Sequence, residues 1–229
     1  MKDLKTPSRF TRSLPIRIGI TAAALVIWFW TQSLIGSRPA PAQGIGDQIH
    51  NVTASANAYL LNHPATAKDL LIVSSAIIDL LGIYLLALWI FRGQARPFLA
   101  LVIVLGLRQI MQACVALPAP PNAIWHPPGF PSLLVTYGVA NDYFFSGHTA
   151  IAVLGAVELA RSRRRSLIIL GVCIVIFEAT TVLILRAHYT MDVFTGLITG
   201  LYASQLTNRV LSPLEKRKQS TPAELVLKS

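Results

Sequence analysis

The sequence predicts an all-α fold, a polytopic membrane protein with six transmembrane helices and both termini on the cytoplasmic side. Three observations predict it. Hydrophobic residues make up 53% of the 229 residues and charged residues only 13%, against roughly 25% charged in a soluble domain, so the apolar surface exceeds what one soluble core can bury. The apolar residues gather into runs of about 20, the length that crosses a bilayer. Lys and Arg collect in alternate connections between those runs.

Taken in order, residues 1–15 read as a cytoplasmic N-terminal tail and 16–210 as the membrane domain, with spans expected at 16–35, 70–91, 97–117, 144–160, 167–185 and 191–210. The stretch 211–229, rich in Ser and Lys, reads as a disordered cytoplasmic tail. Of the 20 Lys and Arg, sixteen fall on one side: Lys2, Lys5, Arg9, Arg12 and Arg17 before or at the start of the first span, then Arg92 and Arg96, then Arg161, Arg163, Arg164 and Arg165, and last Arg209, Lys216, Arg217, Lys218 and Lys228. Arg38, Lys68 and Arg186 fall on the other side and Arg108 inside the third span. The excess of positive charge marks the cytoplasmic side. It also accounts for the formal charge of +10 without a nucleic-acid partner, because no folded basic domain gathers it into a binding face.

The first span has a second reading, a secretory signal cut after Ala40-Pro41-Ala42, but the leader would be unusually long and an uncleaved anchor is expected. Cys114 and Cys173 fall within spans and read as small buried apolar residues. The connection 36–68 reads as an extracytoplasmic linker carrying one glycosylation-like tripeptide at Asn51. The connection 117–143 holds Pro118, Pro120, Pro121, Pro127, Pro128 and Pro131, too many for a helix, and reads as a stiff cap with Trp125 at headgroup level and His126 on the surface. Gly196 and Gly200 have the small-residue spacing that lets two helices approach closely, within the chain.

Two segments carry chemistry, and both belong to the extracytoplasmic face. In His188-Tyr189-Thr190-Met191-Asp192, a helix starting near His188 puts Asp192 four residues on, one turn away on the same face. A carboxylate there accepts a proton from one imidazole nitrogen and leaves the other nitrogen's lone pair for an electrophile, which makes His188 the candidate nucleophile. In Ser146-Gly147-His148-Thr149, glycine allows close backbone approach, and the free amides of a helix start, with the Ser146 and Thr149 hydroxyls, suit a phosphate. His148 would then protonate the leaving oxygen and later deprotonate the incoming hydroxyl. Arg186 offers a fork of donors to the same phosphate. Arg108 lies at a depth similar to Asp79 and Glu178, so an ion pair with one of them is expected, with phosphate contact as the alternative. Two histidines and a carboxylate are also a possible metal set, yet the Ser-Gly before His148 suits phosphate better. No metal and no cofactor are expected.

These motifs resemble the type 2 phosphatidic acid phosphatase superfamily. They are most similar to its lipid head-group transferase branch, which includes sphingomyelin synthases and plant phosphatidylcholine:diacylglycerol cholinephosphotransferases. Asp142-Tyr143-Phe144-Phe145-Ser146-Gly147-His148-Thr149 resembles the branch's Asp-x-x-x-Ser-Gly-His-Thr segment, and His188-Tyr189-Thr190-Met191-Asp192-Val193 its His-Tyr-Thr-x-Asp-Val segment. Arg108 followed by Leu117-Pro118-Ala119-Pro120 resembles its third-span motif. The resemblance implies six membrane helices and a His148, His188 and Asp192 triad acting through a phosphohistidine without metal. It adds Asp142 to Ser146, Gly147, Thr149, Arg186 and Arg108 as expected substrate-binding residues. The expected reaction moves a phospho-head group, phosphocholine above others, from a phospholipid donor to a lipid alcohol, diacylglycerol or ceramide. Water as acceptor would make the chain a lipid phosphatase or phospholipase C-like hydrolase, and a decayed site would leave a lipid-binding protein without catalysis.

Overall fold

The computed structural model describes residues 13–37, 45–129, 131–137 and 143–224. Asp142, the Ala40-Pro41-Ala42 stretch, Arg38, most of the N-terminal tail and Lys228 lie outside the described residues. Within them the regular structure is helical: α1 (Leu14–Gly36), α2 (Gln48–Val52), α3 (Ala54–Asn62), α4 (Pro64–Ile90), α5 (Ala95–Cys114), α6 (Gly147–Ala160), α7 (Arg165–Ile184) and α8 (Thr190–Glu224).

Four helices, α1, α4, α5 and α7, are long and apolar enough to cross a membrane by length and composition. The expected spans 144–160 and 191–210 fall short of that measure for different reasons. Helix α6 is apolar but has 14 residues, about 21 Å of rise at 1.5 Å per residue, because Ser146 caps its start and the arginine cluster from Arg161 ends it. Helix α8 is long enough but diluted by Thr195, Thr199, Ser204, Gln205 and Thr207, and its backbone helix continues past 210 to Glu224. Thr195 and Thr207 return their hydroxyls to carbonyls one turn back, 2.7 Å away in each case.

Helix α6 is the centre of the bundle, packing on α4, α5, α7 and α8, while α1 lies outside against α4 and α5. Every residue from His148 to Gly155 is buried. Close approach is made possible by glycines: a Cβ on Gly171 of α7 would meet Ala156 Cα at 2.9 Å, and one on Gly200 of α8 would meet Val153 Cγ1 at 2.9 Å. Gly196 likewise lies against the backbone at the start of α6. Small residues thus serve contacts within the chain, as their spacing predicts. Val26, Ile27, Trp30, Leu80, Ile169, Ile176 and Phe194 point outward and are exposed. Such a surface suits hydrocarbon. Cys114 and Cys173 are on this outer surface too, free thiols rather than buried core residues; lying within a span did not decide which way they face.

The bundle has two distinct ends. Ala67 and Leu71 of early α4 share a cluster with Leu185, just after α7, and the Ser146 amide before α6 bonds the Asp192 carbonyl in the first turn of α8 at 3.1 Å. These gather the starts of α4, α6 and α8 at one end. At the other, Arg17 donates to the Trp89 carbonyl at 3.1 Å, and Arg161 to Asn208 at 2.9 Å.

Two connections differ from expectation. Residues 45–68 are not a bare linker: they form α2, α3 and the first turn of α4, with Asn57 and Leu60 buried. The proline-rich segment dips into the bundle, where the Asp79 carboxylate accepts the Leu133 and Leu134 amides at 2.7 and 2.8 Å. Gly82 leaves room for the Leu134 side chain.

Candidate active site

The start of α6 is set by its own sequence. Phe145 adopts φ of 76°, a left-handed conformation uncommon for a bulky residue, and turns the chain sharply into the helix. Ser146 then caps it, its Oγ accepting the Thr149 amide at 3.3 Å and lying 3.0 Å from Thr149 Oγ1. Both hydroxyls are therefore turned toward each other and buried. Gly147 and His148 line a small cavity, and their amides belong to the first turn, where no carbonyl within the helix can reach them. His148 is 6% exposed. Its Nε2 has no hydrogen-bond partner among the described residues, and its ring stands edge-on to Trp125, 5.2 Å between centroids.

His188 reaches the same cavity from an irregular segment between α7 and α8. Arg186 has φ of 58°, which breaks α7. The His188 Nδ1 lies 2.7 Å from the Tyr143 carbonyl; a carbonyl can only accept, so Nδ1 carries the proton and Nε2 the lone pair. Asp192 is not the hydrogen-bond partner that helical spacing suggests. Its Oδ2 stands 3.9 Å from Nδ1 and accepts the Tyr189 amide at 2.8 Å, because the segment before Thr190 is a helix cap rather than a helical turn. The buried carboxylate remains close enough to act on the ring through its field.

Arg108 corrects a second expectation. It pairs with neither Asp79, which holds the loop amides, nor Glu178, which accepts from Ser74 Oγ at 2.6 Å. Instead Arg108 Nη1 donates to Gln32 Oε1 of α1 at 2.9 Å, and the side chain lines the cavity against Gly147. A Cβ on Gly147 would stand 3.3 Å from Arg108 Nε, so the glycine makes space for the guanidinium stem. Arg186 is directed elsewhere: it donates to the His50 carbonyl and does not line the cavity. Burial lowers its pKa and the Asp47 carboxylate opposes that. Among the described residues no three or more His, Cys, Asp or Glu side chains converge as a metal site.

Sequence reasoning missed Trp28, Asp47 and His50 here and put Trp125 at headgroup level rather than in the site. Trp28 of α1 and Trp125 line the cavity, and Trp125 is fixed by its Nε1 donating to the Thr136 carbonyl at 3.1 Å. Asp47 and His50 meet the His188 segment from α2. Asp47 caps α2 through the Ile49 and His50 amides, at 2.9 and 3.3 Å, and also accepts the Thr190 amide at 2.5 Å and the Thr190 hydroxyl at 2.7 Å. His50 Nε2 donates to the His188 carbonyl at 2.9 Å, and its ring stacks on Tyr189 at 5.5 Å. The signal available was Asp47 as a helix cap; its second set of donors lies more than 140 residues away in sequence.

A family model described as AtPDCT1/2 matches residues 47–209, a stretch that begins at Asp47 and contains both histidine segments. The chain belongs to the AtPDCT1/2 family. Phosphatidylcholine:diacylglycerol cholinephosphotransferase 1 of Arabidopsis thaliana is 24% identical over 207 residues, covering 90% of this chain and 67% of that protein. Phosphatidylcholine:diacylglycerol cholinephosphotransferase 2 of the same plant is 24% identical over 148 residues, covering 63% of this chain and 48% of that protein. No solved structure matches the chain. Membership in the family thus spans the site, whereas α1, with Trp28 and Gln32, lies outside the matched stretch.

Proposed function

We propose that this chain is a membrane lipid phosphotransferase that moves phosphocholine from a phospholipid to the hydroxyl of a second lipid, diacylglycerol above others, through a phosphohistidine. The observation that carries this reading is that His148 and His188 line one cavity, with the His188 Nδ1 engaged by a backbone carbonyl. Both named relatives are cholinephosphotransferases acting on phosphatidylcholine and diacylglycerol. The motifs' likeness to the type 2 phosphatidic acid phosphatase superfamily agrees with it.

In the first step His188 Nε2 attacks phosphorus and the bond from phosphorus to the glyceride oxygen breaks. His148 protonates that oxygen, and diacylglycerol leaves. In the second step the acceptor hydroxyl gives its proton to His148 and attacks phosphorus, and the bond to Nε2 breaks. Arg108 and the first-turn amides of α6 bind the phosphoryl oxygens, and the faces of Trp28 and Trp125 suit a quaternary ammonium. The Asp192 carboxylate stabilises the imidazolium form of His188. Six spans are proposed, α6 and α8 completing the four long apolar helices, with the basic end cytoplasmic and the histidines at the outer leaflet.

The test uses the full chain in liposomes holding head-group-labelled phosphatidylcholine and a diacylglycerol of different acyl composition. Label is expected in a second phosphatidylcholine species of the acceptor's mass. Free phosphocholine in place of that product would replace transfer by hydrolysis, and wild-type turnover by His188→Ala would overturn the mechanism.

A further inference from the structure

The segment carrying the candidate nucleophile has no helix of its own to orient it. Residues 185–189 run between α7 and α8 with a left-handed turn at Arg186, so the direction of the His188 ring depends on what grips the surrounding backbone. Its amides are held by α7 and α8, the Val182 carbonyl accepting those of Ala187 and His188 and Asp192 that of Tyr189; the rest of the grip comes from α2. The His188 carbonyl is taken by His50 Nε2, and the amide and hydroxyl of Thr190 by Asp47. Arg186 closes the circuit by donating to the His50 carbonyl. His50 and Tyr189, stacked on each other, are both buried.

We infer that Asp47 and His50 are positioning residues that hold the 186–190 segment so that His188 keeps Nδ1 on the Tyr143 carbonyl and presents Nε2 to the cavity. The inference rests on the reading of His188 as nucleophile. Neither residue lines the cavity, so neither touches the reacting atoms. The residue types fit the task. Four donors, the amides of Ile49, His50 and Thr190 and the Thr190 hydroxyl, converge on the two oxygens of Asp47. An asparagine has one acceptor oxygen and turns an NH2 against the remaining donors. Because Asp47 both caps α2 and holds Thr190, one carboxylate fixes the helix that carries His50 and the chain that His50 grips.

The test compares Asp47→Asn, His50→Leu and His50→Gln in full-length protein in nanodiscs. Asp47→Asn is expected to lower kcat by about 10- to 100-fold, the usual loss when a partner that orients a reacting group is removed, while KM for phosphatidylcholine stays at the wild-type value. His50→Leu is expected to lose kcat, and His50→Gln, which keeps a donor for the His188 carbonyl, to recover most of it. In 15N-histidine-labelled protein, the His188 resonances, assigned by their loss in His188→Gln, are expected to report a protonated Nδ1 in wild type and mixed tautomers in Asp47→Asn and His50→Leu. Unchanged kcat and unchanged His188 resonances in both variants would overturn the inference. So would a raised KM with the His188 tautomer intact, which would put these residues in substrate binding. If the wild-type protein transferred no lipid head group, the proposed function would fall while the tautomer measurement still decided the grip.

Discussion

His148 and His188 face one cavity from opposite kinds of scaffold. His148 stands on the first turn of α6, backed by a helix whose next residues are all buried, and its Nε2 has no hydrogen-bond partner among the described residues. His188 sits in irregular chain, yet its ring and backbone are held at Nδ1 by Tyr143 and at the carbonyl by His50. The difference matches the two tasks proposed for them. A group that gains and loses a proton in each cycle is served by a rigid mount with an uncommitted nitrogen. A nucleophile needs one fixed tautomer, and fixed tautomers come from hydrogen bonds rather than from helical support.

Removing each ring in turn is the harshest way to break this comparison. His188→Ala is expected to lower head-group transfer by about 10^4-fold or more, as loss of a nucleophile does, with no label retained on the protein after a quench at alkaline pH. His148→Ala should cost less, about 10^2- to 10^4-fold. Its first step should recover with p-nitrophenyl phosphocholine, whose leaving group departs without a proton. A deficit equal for both donors would remove His148 from the leaving-group role. Asp192→Asn sharpens the contrast further: with Nδ1 bonded to a main-chain carbonyl and the carboxylate 3.9 Å away, transfer should fall only about tenfold, and a loss as large as that of His188→Ala would show that Asp192 takes the proton directly. Last comes Gly196→Ala, where a methyl would clash with the Ser146 carbonyl and meet Thr149 Cβ at 3.3 Å and Ala150 N at 3.4 Å. Overpacking there should cost about 1–3 kcal/mol of stability, read as a lowered Tm in detergent.

The two mounts also differ in how far they were legible in the sequence. The α6 site is local: a glycine for close approach, the free amides of a helix start and His148 are read from a four-residue stretch, and the structure brings Gly147, His148 and Arg108 to the cavity, whereas the Ser146 and Thr149 hydroxyls expected on the phosphate face each other. The His188 site is not local. Helical spacing paired His188 with Asp192, but the cap before Thr190 diverts the carboxylate to the Tyr189 amide, and the distant groups that help hold the segment come from α2 and from Tyr143. Depth within a span was equally insufficient for Arg108: Asp79 and Glu178 lie at comparable positions along their helices, but they face the loop amides and Ser74. Of the six expected spans, four meet length and apolarity together. Helix α6 falls short in length and α8 in apolarity.

The hydrogen bond from the Ser146 amide to the Asp192 carbonyl, with Gly196 seated against the same turn, joins the two histidine stretches through main-chain atoms. Their separation is therefore a property of the scaffold. If the two histidines react as proposed, the walls contributed by Trp28, Leu105, Trp125 and Val135 can be rebuilt for a different polar group or acyl chain while that pair keeps its gauge, so choice of cargo and competence for chemistry are free to vary independently.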